Sequence, residues 1–217
     1  MSQSKDEYES GVLEIIQKIT NLQTKIELIE FSTVFKTTAK NNSILLLDLI
    51  KILGKSGYGN PLQMVYRFIQ IDRSLFVDTI SAFEYEIRCF IQEESDPKLK
   101  NIQEKLQKNQ MMSISKLICF LKDNDYLNDI FYKKLDGLFA IRNMIVHHNS
   151  IVTIAENRVS NEFQNMFSDF KVGKRMYGKP DMFLSLVEHL IDFYLHWYND
   201  KPILKLIYKK SQIANHH

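Results

Sequence analysis

Cysteine, glycine, proline and net charge are all in short supply in this chain of 217 residues. Only Cys89 and Cys119 are present, each inside an apolar stretch and with no Cys-x-x-Cys pair, which argues against a disulfide framework and a cysteine zinc site. Seven glycines and four prolines leave few breakers, so long helices are expected and a turn-rich all-β chain is not. The charges nearly cancel, 28 Lys+Arg against 26 Asp+Glu for a net of +2. A protein that tracks nucleic acid through many phosphates carries a clear basic excess, so any such contact here has to be local. Long hydrophobic runs are missing too. The most apolar stretch, Ser43 to Leu53, is interrupted by Asp48 and Lys51 and falls far short of the roughly 20 residues of a membrane span. The N-terminus is polar and acidic, unlike a signal peptide. The expectation is a cytoplasmic protein without membrane contact.

What is there suits a packed core: 45% of the residues are hydrophobic and 25% charged, close to ordinary globular usage. Apolar residues recur at three and four rather than at two, which predicts an all-α fold. A first segment, about Asp6 to Thr38, carries Val12, Ile15, Ile16, Ile19, Leu22, Ile26 and Ile29 at helical spacing. A second helix covers Ser43 to Leu53. The loop Gly54 to Asn60 ends in an Asn N-cap followed by Pro61 at the first helical position, so a third helix starts there. It runs to about Glu94 with a break near Asp72, and Phe76, Ile80, Phe83, Ile87 and Phe90 form its core stripe. Short helices follow from Asp96-Pro97 and from Ser113, then a long one from Tyr126 to His147, and Lys179-Pro180-Asp181 opens the last, through Tyr198. Residues 1–60 read as an N-terminal helical element and 61–217 as a helical bundle, or the two as one continuous domain.

Two local patterns are bland. Gly54-Lys55-Ser56 resembles the end of a phosphate loop, but the glycine required five residues earlier is Leu49, inside a helix. His189 and His196 lie seven apart on one helix, whereas paired metal ligands on a helix use three or four; they read as structural. No metal and no cofactor is expected.

The segment around Arg142 is different. With Leu138 as zero on an ideal helix, Phe131, Leu135, Ile145 and Val146 fall within about 80° of it, and Arg142 at about 40°. A guanidinium in the apolar arc asks for a carboxylate, a phosphate or a partner chain. Asn143 and His147 lie one turn apart near 140° and 180°, so the Asn side chain can orient the imidazole. Arg142 and His147 are about 140° apart and do not meet on one straight helix. Either the helix ends before His147, or a second copy of the helix completes the pair. From spacing and burial alone, a buried Arg ion pair with a histidine at the helix C-terminus is the plainer reading.

Arg142, Asn143 and His147 match the signature of the HEPN family, all-α domains with an Arg, four to six residues, then a His, and a polar residue after the Arg. The whole run Leu135 to Val152 is similar to the family's form of this helix, with Ser150 where Gly is common, and the helix from Phe83 to Arg88 resembles an earlier family helix that carries an aromatic residue and a Glu. The resemblance covers about Ser74 to Tyr198. It implies a HEPN-like helical bundle with the N-terminal element as an addition, and a metal-independent endoribonuclease working as a homodimer through the motif helix. In that scheme His147 is the general base and its symmetry mate the general acid for attack by the RNA 2′-hydroxyl. Arg142 binds the phosphate, and Asn143 holds the imidazole or a phosphate oxygen.

Around this core, His148 can replace His147 if the helix end is distorted. Glu84 or Glu86 can pair with Arg142, although Glu84 also has Arg88 at i+4. Lys133, Lys134, Arg158, Lys171, Lys174 and Arg175 are the basic residues nearest in sequence. Family members are often toxins or anti-phage abortive-infection effectors, with an antitoxin or other regulatory protein as partner; those paired with a minimal nucleotidyltransferase antitoxin carry a Tyr where this chain has Asn149. The alternative is a non-catalytic helical interaction or RNA-binding module, in which Arg142 is held by a carboxylate of its own chain.

Overall fold

A computed structural model describes residues 3–29, 33–55, 61–93, 97–107, 112–148, 150–154, 158–167, 169–178 and 181–200. The fold is all-α. Helix α1 spans Gln3–Glu27, α2 Val34–Lys55, α3 Pro61–Glu93, α4 Lys100–Gln107, α5 Ile114–Asp123, α6 Asp129–His147, α7 Asn161–Gln164 and α8 Met182–Asp200, with a single 3₁₀ turn at Pro97–Leu99 before α4. Among the described residues the only β pairing is two isolated antiparallel bridges, Ile151 with Arg175 and Phe167 with Gly178. No helix among them is long and apolar enough to cross a membrane.

One contiguous core runs from Ile19 in α1 to Tyr194 in α8. The stripe expected on α3 is buried along its whole length, from Phe76 to Phe90. A relay of rings stitches the helices together: Phe35 of α2 meets Phe83 of α3 at 5.3 Å, Phe83 meets Phe193 of α8 at 5.4 Å, and Phe193 meets Phe131 of α6 at 5.1 Å. All three are edge-on, the arrangement that sets the positive rim of one ring against the negative face of the next. Outside this core, α1 is tied to α8 by Lys18 with Asp181 and by Lys25 with Glu188 and Asp192, solvent-exposed pairs that contribute little individually.

The helix boundaries depart most from the sequence expectation at Val34, where α2 begins instead of at Ser43, and at Asp72, and both departures have the same cause. The first expected segment divides, because a new helix starts at Val34. Thr33 caps it by accepting from the Lys36 N–H at 3.0 Å, and the buried Glu86 carboxylate of α3 accepts from the Val34 and Phe35 N–H groups at 2.8 and 3.4 Å. These donors have no partner inside α2. Conversely, α3 does not break at Asp72. That residue is buried at 1% exposure, and its Oδ2 accepts from the Phe183 N–H in the first turn of α8 at 3.3 Å. A carboxylate that spacing suggests as a breaker in its own helix serves instead as the cap of another. The Gly54 to Asn60 loop lies mostly outside the described residues, as does the basic segment beyond Asp200.

Burial pushes the Asp72 carboxyl well above its ordinary value of 3.8; the Phe183 N–H opposes that shift and nearby Asp181 adds to it. Its Oδ1 has no hydrogen-bond partner among the described residues. A native pKa above the unfolded one means that the native state holds the extra proton, so this group's contribution to stability is full below about pH 4 and lost as pH rises through the native value. Asp72→Asn keeps an acceptor for Phe183 without an ionisable group. Its melting temperature relative to wild type is expected to rise with pH from 4 to 8; parallel melting curves across that range would refute the assignment. Glu86→Ala leaves two helix-start N–H groups unmatched and is expected to destabilise the protein by about 2 kcal/mol, read as a fall in melting temperature of roughly 4–8 °C.

Candidate functional site

Helix α6 is capped at its start by Asn128, whose side chain accepts from the Phe131 N–H at 2.9 Å. Its middle is buried over more of its circumference than the Leu138-centred arc requires: Leu135, Gly137, Leu138, Phe139, Ala140, Ile141, Met144 and Ile145 are all buried. The last residues then emerge. Arg142 and Asn143 are half-buried, while Val146, His147 and His148 are exposed. Val146 sits at the edge of the expected apolar arc, which is why it turns out to solvent at 44% exposure.

The helix persists through His147, so the alternative in which it ends earlier is closed, and Arg142 and His147 stay on different sides of it. Among the described residues the one hydrogen-bond partner of Arg142 is its neighbour: Nη1 donates to Asn143 Oδ1 at 3.0 Å. Its Nε is buried and has no partner among the described residues, and no described carboxylate lies within ion-pair reach. Asn143 therefore orients the guanidinium rather than the imidazole, and its amide nitrogen remains available. Glu84 pairs with Arg88 at 2.7 Å, one turn along α3, and Glu86 is engaged by the start of α2.

Beyond the motif the backbone is shaped closely. The N–H groups of His148 and Ser150 both return to the Met144 carbonyl, at 3.2 and 2.9 Å. Ser150 has φ +63°, left-handed backbone that glycine adopts most easily. Residues 150–152 then pair with 173–176: Met176 N–H donates to Ser150 O at 2.8 Å, Val152 N–H to Lys174 O at 2.9 Å and Gly173 N–H to Val152 O at 2.9 Å. Asn149 lies outside the described residues.

That ribbon sorts the basic residues near the motif. Lys171, Lys174 and Arg175 are exposed on it, with no carboxylate partner among the described residues. Arg158 is neutralised by a forked pair with Asp136, both bonds 2.8 Å, and Lys134 lies 3.8 Å from Glu162. Lys133 is exposed. Sequence reasoning passed over Arg73. From α3 it reaches the end of α6, where Nη2 donates to the Ile145 carbonyl at 2.8 Å, two residues before His147. Nothing in the spacing of α3 signals this, because the partner is supplied by packing.

The remaining histidines of α8 are packing groups. His189 lies edge-on to Phe163 at 5.1 Å and 3.1 Å from Glu162; burial lowers its pKa against the opposing pull of Glu162. His196 stacks on Phe131 at 4.8 Å. Neither Cys89 nor Cys119 is in a disulfide, and the described residues contain no cluster of three metal-ligating side chains.

No family model matches the chain, and no curated protein or solved structure matches it. The site is therefore read from its own geometry.

That geometry makes a prediction about Arg142. Removing one partner of a buried ion pair costs roughly 3–5 kcal/mol, whereas Arg142 has no such partner and carries an unmatched Nε. Arg142→Leu is expected to change stability by less than about 1 kcal/mol, within roughly 3 °C in melting temperature. A drop of 10 °C or more would reveal a structural ion pair instead.

Proposed function

We propose that this protein is a metal-independent endoribonuclease of HEPN type that cuts RNA at a site shared between two copies of α6. The observation that carries the reading is Arg142: a half-buried guanidinium whose only hydrogen-bond partner among the described residues is Asn143, with a buried Nε left unmatched. A cation so placed suits an anion brought in from outside. Because α6 continues through His147, one helix holds Arg142 and His147 apart, and a two-fold mate brings the missing group to each half of the cleft. Exposed Val146 and Ile151 flank the histidines and give such a mate an apolar surface to cover.

In this reading the 2′-oxygen of the substrate attacks the adjacent phosphorus as His147 of one protomer takes its proton. The P–O5′ bond breaks, and the protonated His147 of the mate delivers a proton to the leaving 5′-oxygen. The products are a 2′,3′-cyclic phosphate and a 5′-hydroxyl. Arg142, steadied by Asn143, holds the phosphate oxygens through charge-assisted hydrogen bonds that strengthen as negative charge develops. His148, exposed beside His147, is the alternate proton carrier. A role as a toxin or an anti-phage effector in the cytoplasm, restrained by an antitoxin or other regulator, accompanies this reading by family resemblance.

Incubation of RNA with wild type, Arg142→Ala and His147→Ala in EDTA tests it. Wild type is expected to leave 2′,3′-cyclic phosphate ends, with both variants reduced at least a hundredfold, the scale of a positioned proton-transfer group. Undiminished cleavage in His147→Ala moves the role to His148 if His148→Ala abolishes it. Absence of cleavage by a folded wild type, with RNA still bound, favours a non-catalytic RNA-binding module.

A further inference from the structure

Beside the motif, between α3, the end of α6, the 173–178 segment and the start of α8, lies a cleft of about 130 Å³. Ile145 and Met182 contribute to its apolar floor, and Arg73, Arg175, Ser150 and Gln70 supply polar groups around it. Two arginines facing one small cleft repel each other unless an anion lies between them. Neither has a carboxylate partner among the described residues. Arg73 carries five N–H donors and commits one, to Ile145 O at 2.8 Å, so its position is fixed while the rest of the fork stays available. Arg175 is held from the other side through its backbone, which bridges to Ile151. The Ser150 side chain makes no hydrogen bond among the described residues, and the left-handed turn at φ +63° sets it in the lining.

The nearest buried acid does not neutralise the pair. Asp72 directs Oδ2 to the Phe183 N–H and is absent from the cleft's lining. Size narrows the ligand further. Small-molecule pockets begin at roughly 300 Å³, so a cleft of about 130 Å³ suits a small anionic group and not a whole nucleotide. A phosphodiester, whose remainder continues outside, meets that limit.

We infer that the Arg73–Arg175 cleft is a phosphate subsite that holds an RNA backbone phosphate next to the one being cut. The proposal rests on the ribonuclease reading and deepens it: Ile145, two residues before His147, lines the cleft, and Arg73 is anchored to the same helix end through the Ile145 carbonyl. It gives a nearly neutral chain a local grip on the strand.

The test measures binding apart from cleavage. A fluorescent 2′-O-methyl RNA oligonucleotide, which has no 2′-hydroxyl to react, is titrated with the full chain over a range of salt concentrations. Arg175→Gln is the deciding variant, since its side chain is exposed and its backbone bridge survives. It is expected to weaken binding about tenfold and to lower the slope of log affinity against log salt by about 0.7, the amount for one lost phosphate contact on a single strand. Arg73→Gln should do the same, scored together with its melting temperature because it also releases the Ile145 carbonyl. Unchanged affinity and slope in Arg175→Gln would overturn the subsite while leaving RNA cleavage intact. A wild type that ignores the oligonucleotide but is stabilised by inorganic phosphate through Arg175 would also overturn it, in favour of a free phosphate compound. Arg175-dependent RNA binding in a protein that cuts nothing would uphold the subsite and sink the nuclease reading.

Discussion

Every helix leaves unmatched N–H groups at its start and unmatched carbonyls at its end, and α3 answers this constraint for three of its neighbours. Glu86 takes up the start of α2, Asp72 the start of α8 and Arg73 the end of α6. Asp72 and Glu86 stand fourteen residues apart, close to four turns, so both lie on nearly the same side of α3. One long helix thereby fixes where α2 and α8 begin and where the motif helix stops. The apolar stripe of α3 packs into the core, but apolar packing tolerates sliding, whereas a carboxyl group matched to a particular N–H does not.

Much of the fold was legible in the sequence because its signals are local. The stripe from Phe76 to Phe90 is buried as its spacing predicts, and α3 starts at Pro61. What spacing misjudged were the polar residues whose partners are distant in sequence. Asp72 looks like a break when judged within α3 and is a cap when seen from α8. Thr33 was hidden in an apolar periodicity that continues across it. The candidate site divides along the same line. The order Arg142, Asn143, His147 and the exposure of the helix tip follow from α6 itself. That Asn143 engages Arg142, that Arg158 is taken by Asp136 and that Arg73 braces Ile145 depend on side chains meeting across elements or on rotamer choices that no spacing encodes.

The charge balance acquires a spatial meaning. On α1 and α8 the charges are spent on mutual surface pairs, and near the motif Arg158 and Lys134 are paired in the same way. Three cations without a carboxylate partner among the described residues, Arg142, Arg73 and Arg175, lie near one end of α6. A net charge of +2 is therefore no measure of the local field. An anion approaching that end of α6 meets guanidinium groups that no described carboxylate neutralises.

The backbone at Ser150 has a consequence of its own. A residue with a Cβ in left-handed backbone costs roughly 1–2 kcal/mol that glycine avoids, so the chain accepts a less comfortable turn and gains a hydroxyl in the cleft. Glycine would ease the turn and erase that hydroxyl. Improvement of the scaffold by stability alone would drive this position one way, and retention of the cleft would hold it the other, making position 150 a point where durability and recognition compete.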